Sequence, residues 1–418
     1  MNTVATNSRE ANATSRAPRP MTVLISLLPL FLVIDLFLWI AFLPNALRGH
    51  ADFRQLYVAG YMVRHGYRHQ LYDYGTQTLL QTKLVTNEDL ALPFIRPAYQ
   101  ALLMAPLSVF SYRTAYLLFL TINCFLLSWC CKQVRAWAPT LIAKWGLLIP
   151  ALIVAFLPIN IALMQGQDSI LLLAILMTGM AQVTRRRDSS AGFLVGLGLF
   201  KLQLIIPIAL LFIAWRRWRF VTALAVSAVS MSLVSLIVMG FAQAKAFAVS
   251  LMSVGGVSSP DAINFPLRVQ LMGNLRGVIA STFANTLSRE DIRVATILLS
   301  VILIFAVVIL VPRESKYPLL PIAISAAVIA SYYLFIHDLS VLLIPILIAM
   351  EARTKASERS RHFHGWLAAL AYIAPVCLIA TPNYFYYTCV AYLALLIASL
   401  HDARSTHDRL RQDLPAVP

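Results

Sequence analysis

The residues of this chain that could do chemistry come in a few short, widely spaced groups. Asp52 stands in Gly49-His50-Ala51-Asp52-Phe53-Arg54-Gln55-Leu56-Tyr57-Val58-Ala59-Gly60-Tyr61, just after a long apolar run. A carboxylate there can act as a general base, taking the proton of an attacking hydroxyl. It can equally N-cap a short helix lying on a bilayer surface, with Tyr57 and Tyr61 on one face in the aromatic belt. Lys201-Leu202-Gln203 places a cation and an amide inside an apolar run. Such groups are costly in lipid and mark a cavity, unless the lysine snorkels from a hairpin tip. His337-Asp338 precedes Leu339-Ser340-Val341-Leu342-Leu343. It reads either as a helix cap with a polar neighbour or as an imidazole offered to a phosphate. Gln165-Gly166-Gln167 sets two amides around a flexible glycine, suited to a hydroxyl-rich ligand or to an ordinary loop. His362 and His364 lie in a basic loop without a neighbouring carboxylate or cysteine, so no metal site is expected. There is no phosphate-cradling Gly-Lys-Ser/Thr loop, no serine-nucleophile elbow and no zinc spacing, which excludes nucleotide-driven soluble chemistry.

The elements that must position these groups are membrane helices. Apolar residues make up 59% of the 418, charged residues 12%, and mean hydropathy is +0.74. A soluble domain is about a quarter charged, so this is an all-α, multi-span membrane protein. The net charge of +16 sits in short loops between apolar runs. That is a positive-inside pattern and argues against nucleic acid as a partner. All five cysteines (Cys124, Cys130, Cys131, Cys377, Cys389) fall within apolar runs, and no disulfide framework follows.

Taken in order, residues 1–20 read as a disordered cytoplasmic tail, 21–400 as one polytopic domain and 401–418 as a second cytoplasmic tail. Residues 21–43 form an uncleaved anchor with Asp35 inside it, a carboxylate that needs a partner or a wet cavity. Residues 44–93 and 242–293 are outer loops, the first with short interfacial helices. Spans are expected at 94–110, 114–131, 169–184, 220–241, 294–311, 317–335, 339–350, 366–381 and 385–400. The stretches 145–164 and 191–214 are ambiguous. If 191–214 spans once, either Arg185-Arg186-Arg187 or Arg216-Arg217-Trp218-Arg219 lies outside, against the positive-inside rule. Gly192, Gly196, Gly198 and Pro207 would let it return as a hairpin, with Pro139, Pro150 and Pro158 breaking 139–164 in the same way. The total is ten spans with two hairpins, or twelve spans. Either version gathers Asp52, Arg96, Arg268, Arg276, His337 and Asp338 on the outer face.

Together, Asp52-Phe53 with Tyr57, Gly66, Leu71-Tyr72, Pro97, Gln165-Gly166-Gln167, Gly192 to Gly198 with Lys201-Leu202-Gln203, Trp215-Arg216-Arg217-Trp218 and His337-Asp338-Leu339 resemble a family. The pattern is similar to the bacterial glycosyltransferases of family 87, in the GT-C superfamily, over about residues 50–345. The chain departs from the family at Leu202, where Lys-Pro-Gln is usual, and at Pro97-Ala98, where Pro-Pro is. The resemblance implies a GT-C-like bundle in the bacterial cytoplasmic membrane. It implies inverting transfer of a sugar, with mannose the first candidate, from a polyprenyl-phosphate donor to a glycolipid or glycan acceptor. Asp52 would be the base. Lys201, His337, Gln203, Arg276, Arg96, Gln165, Asp338 and Tyr57 would hold the donor phosphate or sugar, with neither cofactor nor metal required. The competing readings are a transporter or flippase, with Lys201, Asp35 and broken helices along a midplane path, and a structural partner in an envelope complex. No inverted repeat accompanies the transporter reading, and the long first loop with its acid suits a transferase better.

Overall fold

A computed structural model describes residues 19–86, 91–253, 268–312, 317–354 and 359–412. Most of the expected N-terminal tail, the part of the second loop containing Asp261, the turn with Arg313 and Lys316 and the last six residues lie outside them. The described residues are helical and contain no strand, as expected of an all-α membrane protein. Among the described residues, seven stretches are by length and composition long and apolar enough to cross a membrane, and two further apolar helices are shorter.

Helix α1 (Pro20–Asn45) opens on a proline, whose fixed φ suits a first helical position. Leu24, Leu28 and Phe31 make a buried stripe at helical spacing, while Val33, Phe37 and Ile40 face outward as a lipid-contacting surface would. The helix ends in a π turn (Ala46–His50) that breaks at Gly49, where φ is 101°. Helices α2 (Phe53–Arg64) and α3 (Tyr74–Leu84) follow. The expected surface helix is not what α2 forms: Phe53, Leu56, Tyr57, Val58 and Met62 are buried, and Phe53 and Tyr57 pack with Tyr112, Phe53 also with Tyr116 and Phe119.

The span expected at 94–110 does not form. Helix α4 (Ala98–Met104) is seven residues long, a rise of about 10 Å, and the chain turns at Ala105-Pro106 into a 3-10 turn. Helix α5 (Tyr112–Trp137) is a full-length span. The stretch 139–164 breaks into α6 (Pro139–Trp145), α7 (Leu148–Val154) and α8 (Leu157–Met164), with prolines in the first turns of α6 and α8. Broken backbone of this kind is tolerated at membrane depth only when protein surrounds it, and α8 is buried along nearly its whole length.

Helices α9 (Ser169–Thr184), α10 (Asp188–Leu197), α11 (Leu202–Ala214) and α12 (Trp218–Ser253) resolve the ambiguity at 191–214. A Cβ on Gly192 would lie 2.0 Å from the Phe220 carbonyl oxygen, and one on Gly196 2.5 Å from that of Leu224. The contact advances four residues on both helices, so α10 and α12 run parallel. Phe212 and Phe220 stack at 3.8 Å across the turn that joins α11 to α12. Helices α10 and α11 therefore form a hairpin, which leaves Arg185–Arg187 and Arg216–Arg219 at the same end of the bundle. A 3-10 turn, Gly198–Lys201, is the tip. Glycine at 198 lets this tip touch Leu172 of α9.

Helices α13 (Leu275–Thr282) and α14 (Arg289–Leu310) lead to α15 (Leu319–Ala330), in which every residue is buried. The stretch expected as a span at 339–350 is instead a 3-10 turn (Ile336–Leu342) followed by α16 (Leu343–Thr354), packed inside the bundle. Helices α17 (Arg359–Ile373), α18 (Cys377–Ala380) and α19 (Thr388–Gln412) close the structure. Gly365 lies against Arg353 and Pro20, so α1 starts at the end of the bundle where α16 ends.

Candidate active site

Asp52 precedes α2 but does not cap it: its carboxylate makes no bond to the helix's first amides. Instead Asp52 Oδ2 accepts from Gln167 Nε2 at 2.6 Å, and the Asp52 backbone N–H donates to Gln165 Oε1 at 3.0 Å. The Phe53 N–H donates to the Gln165 carbonyl at 2.9 Å. Gly166 makes this docking feasible. Its φ of 59° and its approach to the Phe53 ring, 2.7 Å from Phe53 Cβ to a Cβ built there, exclude a larger residue. The Gln165-Gly166-Gln167 segment is thus the cradle of the acid rather than an ordinary loop.

Gln167 faces a second partner. Its Oε1 accepts from Arg96 Nη2 at 3.0 Å, and the other arm of the guanidinium pairs with Asp168 Oδ2. Arg96 comes from the extended stretch before α4, whose Gln100 also donates to Asp168. Asp168, fully buried at the start of α9, in turn lies 3.0 Å from Lys201 Nζ on the hairpin tip. Lys201 donates to Asp338 Oδ1 at 2.7 Å, and Ser169 Oγ donates to the same oxygen at 3.0 Å. His337 Nε2 stands 3.6 Å from it. One continuous polar chain therefore runs from Asp52 through Gln167, Arg96, Asp168 and Lys201 to Asp338 and His337. Five separate stretches of the sequence supply it.

Burial sets the charge states at the edge of this chain. It brings the Arg96 guanidinium down to about 10, with Asp338 and Asp52 opposing the shift. It brings His337 down to about 3, against the pull of Asp338, so the imidazole is neutral at neutral pH. For Asp338 burial acts upward, but Lys201, His337 and Arg96 together hold the carboxyl below the usual carboxylate range. A neutral imidazole beside a paired lysine and arginine can donate to phosphate oxygens, and a carboxylate at the position of Asp52 can accept a proton at the other end of the polar network.

Of the residues expected from sequence, the network brings together Asp52, Gln165, Arg96, Lys201, His337 and Asp338. Five sit elsewhere. The Tyr57 hydroxyl donates to the Phe110 carbonyl at 2.9 Å within the aromatic core. Arg276 donates to the Tyr332 carbonyl and stacks on the Tyr332 ring, 3.9 Å from its centroid, with Tyr333 at 5.0 Å. Gln203 is half-buried in α11 and its side chain makes no hydrogen bond among the described residues. Arg268 is exposed at the edge of the described chain. Asp35 is buried beside Phe31, Leu157 and Tyr372, away from the network. Sequence reasoning did not place Gln100, Asp168 or Ser169 in the site, and named Gln167 only as half of an amide pair. The available signal was Asp168 itself, an acid inside an otherwise apolar stretch.

The sequence model of glycosyltransferase family 87 matches residues 94–345, more than half of the chain. The matched stretch carries Arg96, Gln167, Asp168, Lys201, His337 and Asp338, and begins after Asp52. No curated protein and no solved structure matches the chain. With the family pattern lying across the helices that assemble the buried network, the chain belongs to glycosyltransferase family 87 and is a multi-pass membrane glycosyltransferase.

Proposed function

We propose that the chain is an inverting transferase that moves a sugar, with mannose the first candidate, from a polyprenyl phosphate to a lipid-linked or glycan acceptor. The observation that carries this reading is the Gln167 amide, which holds the Asp52 carboxylate and the Arg96 guanidinium on its two faces. A base and a cation held one amide apart suit a substrate whose nucleophile and leaving group are both oxygen. Asp52 takes the proton of the acceptor hydroxyl as that oxygen bonds to the anomeric carbon from the face opposite the phosphate. The bond from the anomeric carbon to the phosphate oxygen breaks, and polyprenyl phosphate leaves with the added negative charge. Arg96, Lys201 and the neutral His337 receive that charge in a water-poor setting, where such contacts are strongest.

The site carries its own counter-ions. Lys201 is shared by Asp168 and Asp338, so it meets a phosphate only by loosening one of those pairs. The basic runs Arg185–Arg187 and Arg216–Arg219 lie at the end of the bundle away from the hairpin tip that carries Lys201, which under the positive-inside rule supports a transfer site on the outer face of the membrane. The test is transfer of radiolabelled sugar from polyprenyl-phosphate mannose into a native lipid extract by purified wild-type and Asp52→Asn protein. Label reaching a new product with wild type alone supports the reading. Equal transfer by both overturns Asp52 as base, and transfer only from a different donor overturns mannose.

A further inference from the structure

We propose that His364, His401 and Asp402 form a binding site for a divalent transition-metal ion that ties α17 to α19. In the sequence His364 has no carboxylate near it, which argues against a metal; folding supplies one from 38 residues further on. His364 Nδ1 lies 2.9 Å from Asp402 Oδ1, and His401 Nδ1 lies 4.0 Å from the same oxygen. The two imidazole rings meet edge to face with centroids 5.0 Å apart, and all three donor atoms fall within 4.8 Å of one another. A histidine–aspartate hydrogen bond alone would account for His364 and Asp402 but not for the convergence of His401.

Two imidazole nitrogens and a carboxylate oxygen are a donor set for zinc and neighbouring ions. Tetrahedral bonds of about 2.0–2.1 Å separate ligand atoms by about 3.3 Å, between the two spacings seen here. Small rotamer changes of His401 and Asp402 close the difference. The side chains of His364 and Asp402 are 11% and 13% exposed and fix the inner half of the site, whereas His401, at 59%, leaves an entry path. Arg404, one turn from His401, does not oppose the ion directly, since its Nε is given to the Leu310 carbonyl at 2.8 Å.

The site is remote from the transfer network. His364 neighbours Gly365, which lies against Pro20 at the start of α1. The 26 residues of α1 rise about 39 Å before the chain reaches Asp52. The ion therefore acts as a staple between two helices rather than in the reaction.

The experiment uses the full chain carrying a tag without histidines, stripped by chelator and titrated with zinc by calorimetry and with cobalt by visible absorption. One ion per chain is expected, with cobalt bands of nitrogen and oxygen ligation and a raised thermal midpoint. His401→Ala, at an exposed position, and Asp402→Asn should each weaken binding at least about tenfold. The midpoint of His401→Ala should no longer respond to zinc. Wild-type affinity in both variants, cobalt bands of thiolate ligation, or no binding by the wild type would each overturn the site.

Discussion

The side-chain amide of Gln167 joins Asp52 to Arg96, donating to the carboxylate at 2.6 Å and accepting from the guanidinium at 3.0 Å. Both contacts involve a charged group, and such bonds are shorter and roughly twice as strong as neutral ones. Gln167→Met keeps the length of the side chain and removes both bonds. We expect kcat to fall about tenfold to a hundredfold, the size typical of a lost orienting partner, with a smaller change in donor KM. Steady-state kinetics on the labelled donor decide it, and an unchanged kcat would make the bridge incidental.

Asp52→Ala, which removes both the carboxylate and any capping oxygen, separates the two readings open at the outset for this residue. A cap lost to a non-capping residue costs about 1 kcal/mol, but the Asp52 side chain makes no bond to the amides of α2. The thermal midpoint should therefore stay near that of the wild type while turnover drops on the order of 10²–10⁴-fold, the usual worth of a general base. A lower midpoint with retained turnover would restore the cap.

What the sequence could and could not disclose follows from the physics of each position. Asp52, Lys201 and His337-Asp338 were legible because polar groups in apolar runs are costly and so need a purpose. The hairpin at 191–214 was legible as one of two alternatives, from its glycines and its two basic flanks. The helix-packing glycines then decided between them, a matter of tertiary approach that no local pattern encodes. Asp168 escaped because Gln165-Gly166-Gln167-Asp168 looks like a polar turn, whereas in the fold Arg96, Gln100 of α4 and Lys201 of the hairpin tip close over it. Tyr57 was misplaced for the opposite reason. A tyrosine near an apolar boundary suits an interfacial belt, yet the rings of α2 and α5 take it into a core.

Asp168→Asn keeps the shape of the side chain and removes its charge. Arg96 then loses its ion pair and Lys201 one of two. Leaving a buried charge without its partner costs about 3–5 kcal/mol, so the thermal midpoint should fall clearly. Adding Arg96→Gln to Asp168→Asn should recover part of that loss, because no guanidinium is then stranded. Additive losses in the double variant would show that the two residues are not coupled.

Stability should also depend on pH through His337. Its folded pKa is lowered to about 3, against an ordinary value of about 6.5. Between those values the unfolded chain binds a proton that the folded chain does not. The stabilisation is therefore complete above about pH 6.5 and is lost progressively as pH falls toward 3. Asp338, also lowered, acts in the same direction at lower pH. His337→Gln should flatten the decline in thermal midpoint between pH 6.5 and 5, and an unaltered slope would place the titration elsewhere.

The hairpin that carries Lys201 packs closely on α12 at Gly192. A methyl group at Gly192 would sit 2.0 Å from the Phe220 carbonyl oxygen, an overlap relieved only by moving backbone. Gly192→Ala should therefore push α10 away from α12 and displace the tip, on which Lys201 meets Asp168 and Asp338. Overpacking of this kind costs about 1–3 kcal/mol, and turnover should fall with it although residue 192 lies in no reacting position. Gly75→Ala is the matched control. Its nearest neighbour would be Asp73 Oδ2 at an ordinary 3.5 Å, and alanine favours a helix over glycine by about 1 kcal/mol. That variant should be as stable as the wild type or more so, with full activity. If Gly192→Ala behaves like Gly75→Ala, the parallel packing of α10 and α12 is not what positions the lysine.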